Sequence, residues 1–221
     1  MNKESHKVLS YLAGFHLKKQ DYDFKSKSGE LFNIISEITE REFEVINIDT
    51  DLLLLKNKEL EFFEIRLDSR QLIYTDAVAD FSNFQNKALS MLQSWQKLNP
   101  IANNLKLGGI VRRILLSEER PKGTYKSVLF DNYIKNLNVR GKNKEVNVHL
   151  NYVYTEKGKD YNVNITLDED LGKKYQLECR LDINQTDVGG SERIDFERVK
   201  EIFYFSEKYF TEEFFKDLNI T

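Results

Sequence analysis

The three histidines are the residues best suited to acid–base chemistry near neutral pH, and their positions support no site. His6 lies near the start of the chain, while His16 and His149 fall on the polar registers of predicted strands. No two of them have the H-x-H or H-x-x-x-H spacing that would favour a shared zinc ion. We therefore expect exposed strand histidines and predict no catalytic residue, histidine–zinc site or Ser-His-Asp triad.

Two acidic clusters could in principle hold a divalent cation, because hard cations need several oxygen atoms converging on one point. They are Asp49 with Asp51, and Asp168-Glu169-Asp170. Neither matches the twelve-residue loop of a calcium hand, and both lie between predicted strands, where Asp commonly makes turns. We predict turns, no metal and no cofactor at these clusters. An enzyme with an unconventional carboxylate site remains an alternative.

A basic segment runs from Arg112 to Lys144, with nine basic and three acidic residues and hence a net charge of +6. Cations interspersed with aromatic rings can grip a nucleic-acid strand. The alternative is a solvated surface balanced by the acidic final helix. The whole chain has a net charge of -3, which gives no strong reason to expect nucleic acid or an anionic membrane. The candidate nucleic-acid-binding residues are Arg112, Arg113, Lys135, Arg140, Lys142 and Lys144.

The single cysteine, Cys179, rules out an intramolecular disulfide and fits a reducing compartment. It falls on the apolar register of a predicted strand, so we expect a small core residue rather than a reactive thiol. No stretch approaches the ~20 apolar residues of a membrane span. The sequence therefore predicts a cytoplasmic protein with no membrane partner.

Three segments near the C-terminal end alternate apolar and polar residues with a strict period of two: residues 146–154, 161–167 and 175–183. Successive side chains of a strand point to opposite faces, so each segment has one apolar and one polar face. This pattern is typical of an antiparallel sheet that is packed on one side and exposed on the other.

The same order of elements occurs twice along the chain. Residues 1–104 read as a strand, a helix that Ser28 could cap, several short strands and a long helix capped by Asp80. Residues 105–221 read as a long strand, a helix near 128–137, the three alternating strands and a Phe-rich helix. We predict an α+β fold of antiparallel strands with long helices on one face, in two pseudo-repeated halves. The halves could share one sheet or form two subdomains.

The second half resembles a sporadically distributed, uncharacterised bacterial protein family. The residues that carry the resemblance are the strand through Leu107–Ile114 after a helix containing Trp95, the run Leu181–Asn184 and the Phe-rich helix from Val199 to Phe215. The resemblance implies no known activity and transfers no catalytic residue. The architecture is also similar to small sheet-plus-helix export chaperones, which bind extended chains.

The final helix gives the leading functional hypothesis. Tyr204, Phe205, Tyr209 and Phe215 lie beyond its main apolar stripe, so aromatic side chains would surround it almost completely. Such a helix needs cover on more than one side. We expect a non-catalytic protein-binding or assembly protein of bacterial or phage origin that uses a sheet edge or this helix, with self-association as one form of assembly. The alternative is that the chain itself covers both sides.

Overall fold

The computed structural model describes residues 6–17, 22–57, 59–60, 63–68, 71–77, 80–98, 105–117, 145–170, 176–185 and 196–217, and every structural statement below concerns these residues. The sequence-predicted helix at 128–137 lies outside them. Lys135, Arg140, Lys142 and Lys144 of the basic segment also lie outside them.

Nine antiparallel strands form one sheet in the order β2-β3-β4-β5-β1-β6-β9-β8-β7, which confirms the predicted α+β class. Within the described residues, four helices accompany the sheet. The strands are β1 His6–Leu17, β2 Glu44–Ile48, β3 Leu52–Lys56, β4 Glu64–Asp68, β5 Gln71–Asp76, β6 Leu105–Ser117, β7 Glu145–Glu156, β8 Lys159–Asp170 and β9 Gln176–Gln185; the helices are α1 Ser28–Thr39, α2 Phe81–Leu98, α3 Phe196–Glu212 and α4 Phe214–Asp217.

The long helices lie on one face of this sheet, as predicted. Alternate residues of β1 are buried on that face, beginning with Tyr11, whose ring centroid lies 5.3 Å from that of Phe84 in α2. Phe15, four residues further along the same strand, packs against Phe203 of α3, with the two ring centroids 6.4 Å apart. Since i and i+4 of a strand share a face, both helices cover the same side of the sheet.

The two halves meet at the centre of the sheet, where β1 pairs with β6. On either side of this pair, α2 packs on β1 and β5, and α3 packs on β6 and β9. The strands of each half then follow outward as a meander, so the described parts of the halves have related topologies within one sheet. None of the described helices combines the length and the apolar character that crossing a membrane requires.

Two local predictions can be compared directly with the backbone. Asp80 does cap α2, because its carboxylate accepts hydrogen bonds from the amides of Ser82 at 3.3 Å and Asn83 at 3.0 Å. Ser28 does not cap α1: the N-cap position is Lys27. The Ser28 hydroxyl donates to the carbonyl of Lys25 at 3.2 Å, and the N-cap residue Lys27 makes no side-chain cap hydrogen bond.

The second acidic cluster was also placed wrongly. Asp168–Asp170 does not form a turn. These three residues are the end of β8, and they pair with β7 on one side and with β9 on the other. The ladder continues through these acids because both neighbouring strands extend as far. The prediction of a turn at Asp49 and Asp51 is confirmed. The Asp49 carboxylate accepts a hydrogen bond from the backbone amide of Thr50 at 2.7 Å in the β2–β3 turn.

Candidate interaction surfaces

Three of the four aromatic residues assigned to a protein contact are covered by the chain itself. Phe205, Tyr209 and Phe215 retain only 2%, 1% and 7% of their exposure, and Phe205 stacks on Tyr161 of β8 with the ring centroids 4.0 Å apart. Only Tyr204 among the four is exposed, at 61%. These three residues therefore fit the alternative hypothesis, in which the chain itself covers the aromatic side chains of the helix. Tyr204 remains as the exposed aromatic residue among the four.

Tyr209 belongs to a phenol–carboxylate cluster that ties the end of the chain to β7. The hydroxyls of Tyr152 and Tyr209 contact each other, and each donates to Asp217 Oδ2 at 2.6 Å. Burial first, and then the hydrogen bonds to Asp217 and Tyr152, raise the pKa of Tyr209 above its ordinary value. A phenol held neutral in this way serves as a hydrogen-bond donor, so the cluster is an anchor rather than a nucleophile.

This anchor predicts a particular response to alkali. The folded pKa of Tyr209 lies above the unfolded value of about 10, so its contribution to stability is complete below pH 10 and is lost as the pH rises towards the folded pKa. Tyr209→Phe removes that proton linkage. We expect its free energy of unfolding to fall less steeply above pH 10 than that of the wild type, as measured by urea titration at several pH values. The exposed Tyr204→Phe should keep the wild-type slope; equal slopes for all three proteins would contradict the prediction.

Two candidate residues of the basic segment lie in the described strand β6. Arg112 and Arg113 are consecutive in β6, and consecutive strand positions belong to opposite faces of a sheet. In register, Arg112 is opposite Leu12 and Asp182, whereas Arg113 is opposite the buried Tyr11 and Leu181.

His16 and His149 occupy strands, as predicted, but they are not equally exposed. His6, for which the sequence indicated a frayed N-terminus, is instead the first residue of β1. His149 is exposed and its Nδ1 lies 3.1 Å from the Thr166 hydroxyl, whereas His16 is half-buried in β1. Cys179 is 5% exposed and belongs to the core, as its register predicted. In the part of the chain that the structure describes, no three His, Cys, Asp or Glu side chains converge on a point that could hold a metal ion.

A buried carboxylate was not singled out from the sequence. Asp76, at the end of β5, is fully buried; its Oδ2 accepts the Tyr74 hydroxyl at 2.8 Å and Arg41 Nε at 3.2 Å. Burial, and to a smaller extent the negative charge of Asp76, raises the pKa of Tyr74. Asp76 continues the alternation of Leu72 and Tyr74 on the covered face, and that register is the signal that could have revealed it.

The outer edge of β7 is the most distinctive surface feature of the fold. β7 is the last strand of the sheet, it is 12 residues long, and it pairs with β8 in unbroken register from Glu145 to Glu156. Its hairpin turn suits this regularity, because Lys157 and Gly158 both have positive φ, of 51° and 72°, as primed turns require. Among the described residues, β8 is the only strand that pairs with β7.

This edge lacks the features by which proteins usually prevent edge-to-edge association. Such features include short strands, bulges, prolines and lysines. Between its terminal glutamates β7 has no bulge, no proline and no lysine, arginine or acid, and Val153 on its open face is 55% exposed.

The opposite edge, β2, is built differently. It is only 5 residues long and has a bulge between Val45 and Asn47, although Val45 and Ile46 are 43% and 54% exposed. A bulge twists a strand locally and interrupts the row of groups that another strand could pair with. The two edges therefore carry similar apolar exposure, but β7 alone offers a long regular template.

Comparison with known proteins adds no function to this geometry: no protein-family model and no curated protein matches the chain. The candidate surfaces consequently depend on the physical chemistry of the chain itself.

Proposed function

We propose that this protein is a non-catalytic binding and assembly protein, and that it binds another polypeptide by adding a strand to the outer edge of β7. The observation that carries the proposal is the length and regularity of this edge strand together with its lack of charge and bulges. Strand addition obtains affinity from main-chain hydrogen bonds and specificity from alternate side chains. β7 offers main-chain groups along its outer edge, because it is the last strand of the sheet. It also offers alternate side chains, since Val148 and Leu150 belong to the covered face and Asn151 and Val153 to the open face.

The setting that we propose is the cytoplasm of a bacterium or phage-infected cell. Cys179 is the single cysteine of the chain and is buried, and the chain has no second cysteine with which it could form a disulfide, which fits a reducing compartment. The proposed bacterial or phage origin is supported by the resemblance of the Leu107–Ile114 strand and the Phe-rich helix to the uncharacterised bacterial family.

A charge placed on the edge tests the proposal. Val153→Lys introduces the residue that natural edge strands use against pairing, at a position where 55% exposure leaves room for it. The matched control is Ile46→Lys on β2, where the exposure is 54%. Both substitutions should change the free energy of unfolding by less than about 0.5 kcal/mol, because neither removes a buried contact.

The probe is a fluorescent peptide of six Thr-Val repeats with lysines at both ends, followed by anisotropy. At protein concentrations low enough to leave the β7 edge unpaired with a second copy, we expect saturable binding to the wild type, a loss of at least tenfold with Val153→Lys and wild-type affinity with Ile46→Lys. Tyr204→Lys separates the helix surface from the edge and should also bind as the wild type does. Absence of binding by a wild type that is monomeric at the concentration used, or an equal loss in Ile46→Lys, would overturn the proposal for this edge.

A further inference from the structure

We propose that the partner at the β7 edge is a second copy of this chain, joined by antiparallel β7–β7 pairing with Leu150 opposite Leu150. This inference rests on the proposed function and deepens it, because it names the occupant and the register. It would join two nine-stranded sheets into one continuous sheet across a twofold axis.

The first support is a fall in burial from β8 to β7 along the covered face. Ile165 and Val163 of β8 are 1% and 0% exposed, while the β7 residues directly opposite them, Leu150 and Tyr152, are only half-buried against the core. An edge strand has a neighbour on one side only, and beyond Val148, which is 8% exposed, the apolar side chains of β7 at the helix layer are only partly covered. A second β7 would extend the same apolar rows and complete this cover.

The second support is the parity of the strand. Directly opposite residues in an antiparallel pair share a face, and β7 alternates faces residue by residue. When two β7 strands pair about a twofold axis, the axis must therefore pass through the level of one residue of β7. That residue then lies opposite the same residue of the other copy. A pairing centred between two residues would bring the apolar row of one copy against the polar row of the other.

Among the central residues that parity allows, Leu150 gives the best match. Val148 then lies opposite Tyr152, Val146 is opposite Tyr154, and no charged residues of like sign are paired. With Asn151 at the centre, Val146 would lie opposite Glu156, whose carboxylate is held by Lys208 at 2.7 Å. With His149 at the centre, the two imidazoles would lie opposite each other and Glu145 would meet Val153. Apolar and β-branched–aromatic pairs stabilise a sheet, whereas an apolar–charged pair does not.

The third support is closure. A twofold pairing uses the β7 edge of both copies, and the edges left at the ends of the joined sheet are the two β2 strands. These are 5 residues long and bulged, which disfavours further addition. Charge is no obstacle, since β7 carries no Lys, Arg, Asp or Glu between Glu145 and Glu156. The product is a dimer rather than a growing fibre.

Sedimentation velocity on the full chain tests the assembly. We expect a dimer of twice 26.1 kDa for the wild type and for Ile46→Lys, and a monomer for Val153→Lys. A wild type that stays monomeric across micromolar concentrations, or a Val153→Lys variant that stays dimeric, would overturn the inference. A monomer that still binds the Thr-Val peptide through β7 would leave the proposed function intact, so the two failures can be distinguished.

Distances between spin labels test the register. In a Cys179→Ala background, single labels are placed at Asn147 or at Val153, each three residues from Leu150. If the axis passes beside Leu150, the two positions are equally far from their own copies, at about 20 Å along the strands. A shift of the centre by one residue lengthens one distance and shortens the other by about 7 Å each. Equal distances in pulsed dipolar spectroscopy support the register, and clearly unequal distances overturn it.

Discussion

Phe84→Ala is expected to lower the free energy of unfolding by about 3–5 kcal/mol, the usual cost of deleting a fully buried phenylalanine ring. Phe84 is 0% exposed and stacks between Tyr11 of β1 and Tyr74 of β5, with centroid distances of 5.3 and 5.2 Å. It also reaches Phe203 of α3 at 6.5 Å, and thus touches both halves of the fold. The cavity would open where the halves meet, and rigid sheet and helices can close it only in part.

Urea unfolding followed by circular dichroism measures this cost. Tyr204→Ala is the control, because it removes an aromatic ring that is 61% exposed and should change stability by less than about 0.5 kcal/mol. Phe84→Leu should cost about 1–2 kcal/mol, since it retains most of the volume. A Phe84→Ala cost no greater than that of Tyr204→Ala would show that this ring does not help to join the halves.

Local periodicity predicted most of the elements. The three- and four-residue spacing of α2 gave its buried face correctly, from Phe81 through Phe84 to Trp95, and the alternation of Tyr11, Ala13 and Phe15 gave the covered face of β1. These predictions succeed because burial on one side forces a period on the residues themselves.

The order of the strands could not be predicted in the same way. Alternation in β7 identifies two faces but does not say which strand lies beside it, because every strand with one apolar face carries the same signal. The pairing of β1 with β6 is likewise a contact between residues about a hundred positions apart. For this reason the sequence predicted a sheet edge as a contact surface without indicating which strand formed it.

The aromatic helix shows a different limit. Phe205 and Tyr209 were assigned to a contact surface because they lie beside the main apolar stripe of α3. They are buried because Tyr154 and Tyr161 project from the sheet against that flank, where Tyr154 lies 5.4 and 5.9 Å from the two rings. A helix lying on a sheet with large side chains is covered over a wider arc than its own periodicity indicates.

Arg41→Met is expected to destabilise the protein by about 3 kcal/mol, because it leaves the buried Asp76 carboxylate without its counter-charge. Asp76 is fully buried, and the Arg41 side chain is 28% exposed. Among the described residues the carboxylate has no other cationic partner, and its Oδ1 is buried without a hydrogen-bond partner. Tyr74 supplies a hydrogen bond to Oδ2 but no charge.

A second variant separates an isolated charge from a lost contact. Arg41→Met combined with Asp76→Asn removes the charge along with its partner, so it should recover part of the loss; neutral amides cost less to bury than unpaired carboxylates. Lys56→Met is the surface control: the Lys56–Glu64 pair is half-exposed at 3.0 Å, and its loss should cost less than about 1 kcal/mol. If the double variant were no more stable than Arg41→Met, the arginine would act through the packing of its stem at the end of α1 rather than through its charge. The order of the three free energies of unfolding therefore decides whether electrostatics or packing holds α1 to β5.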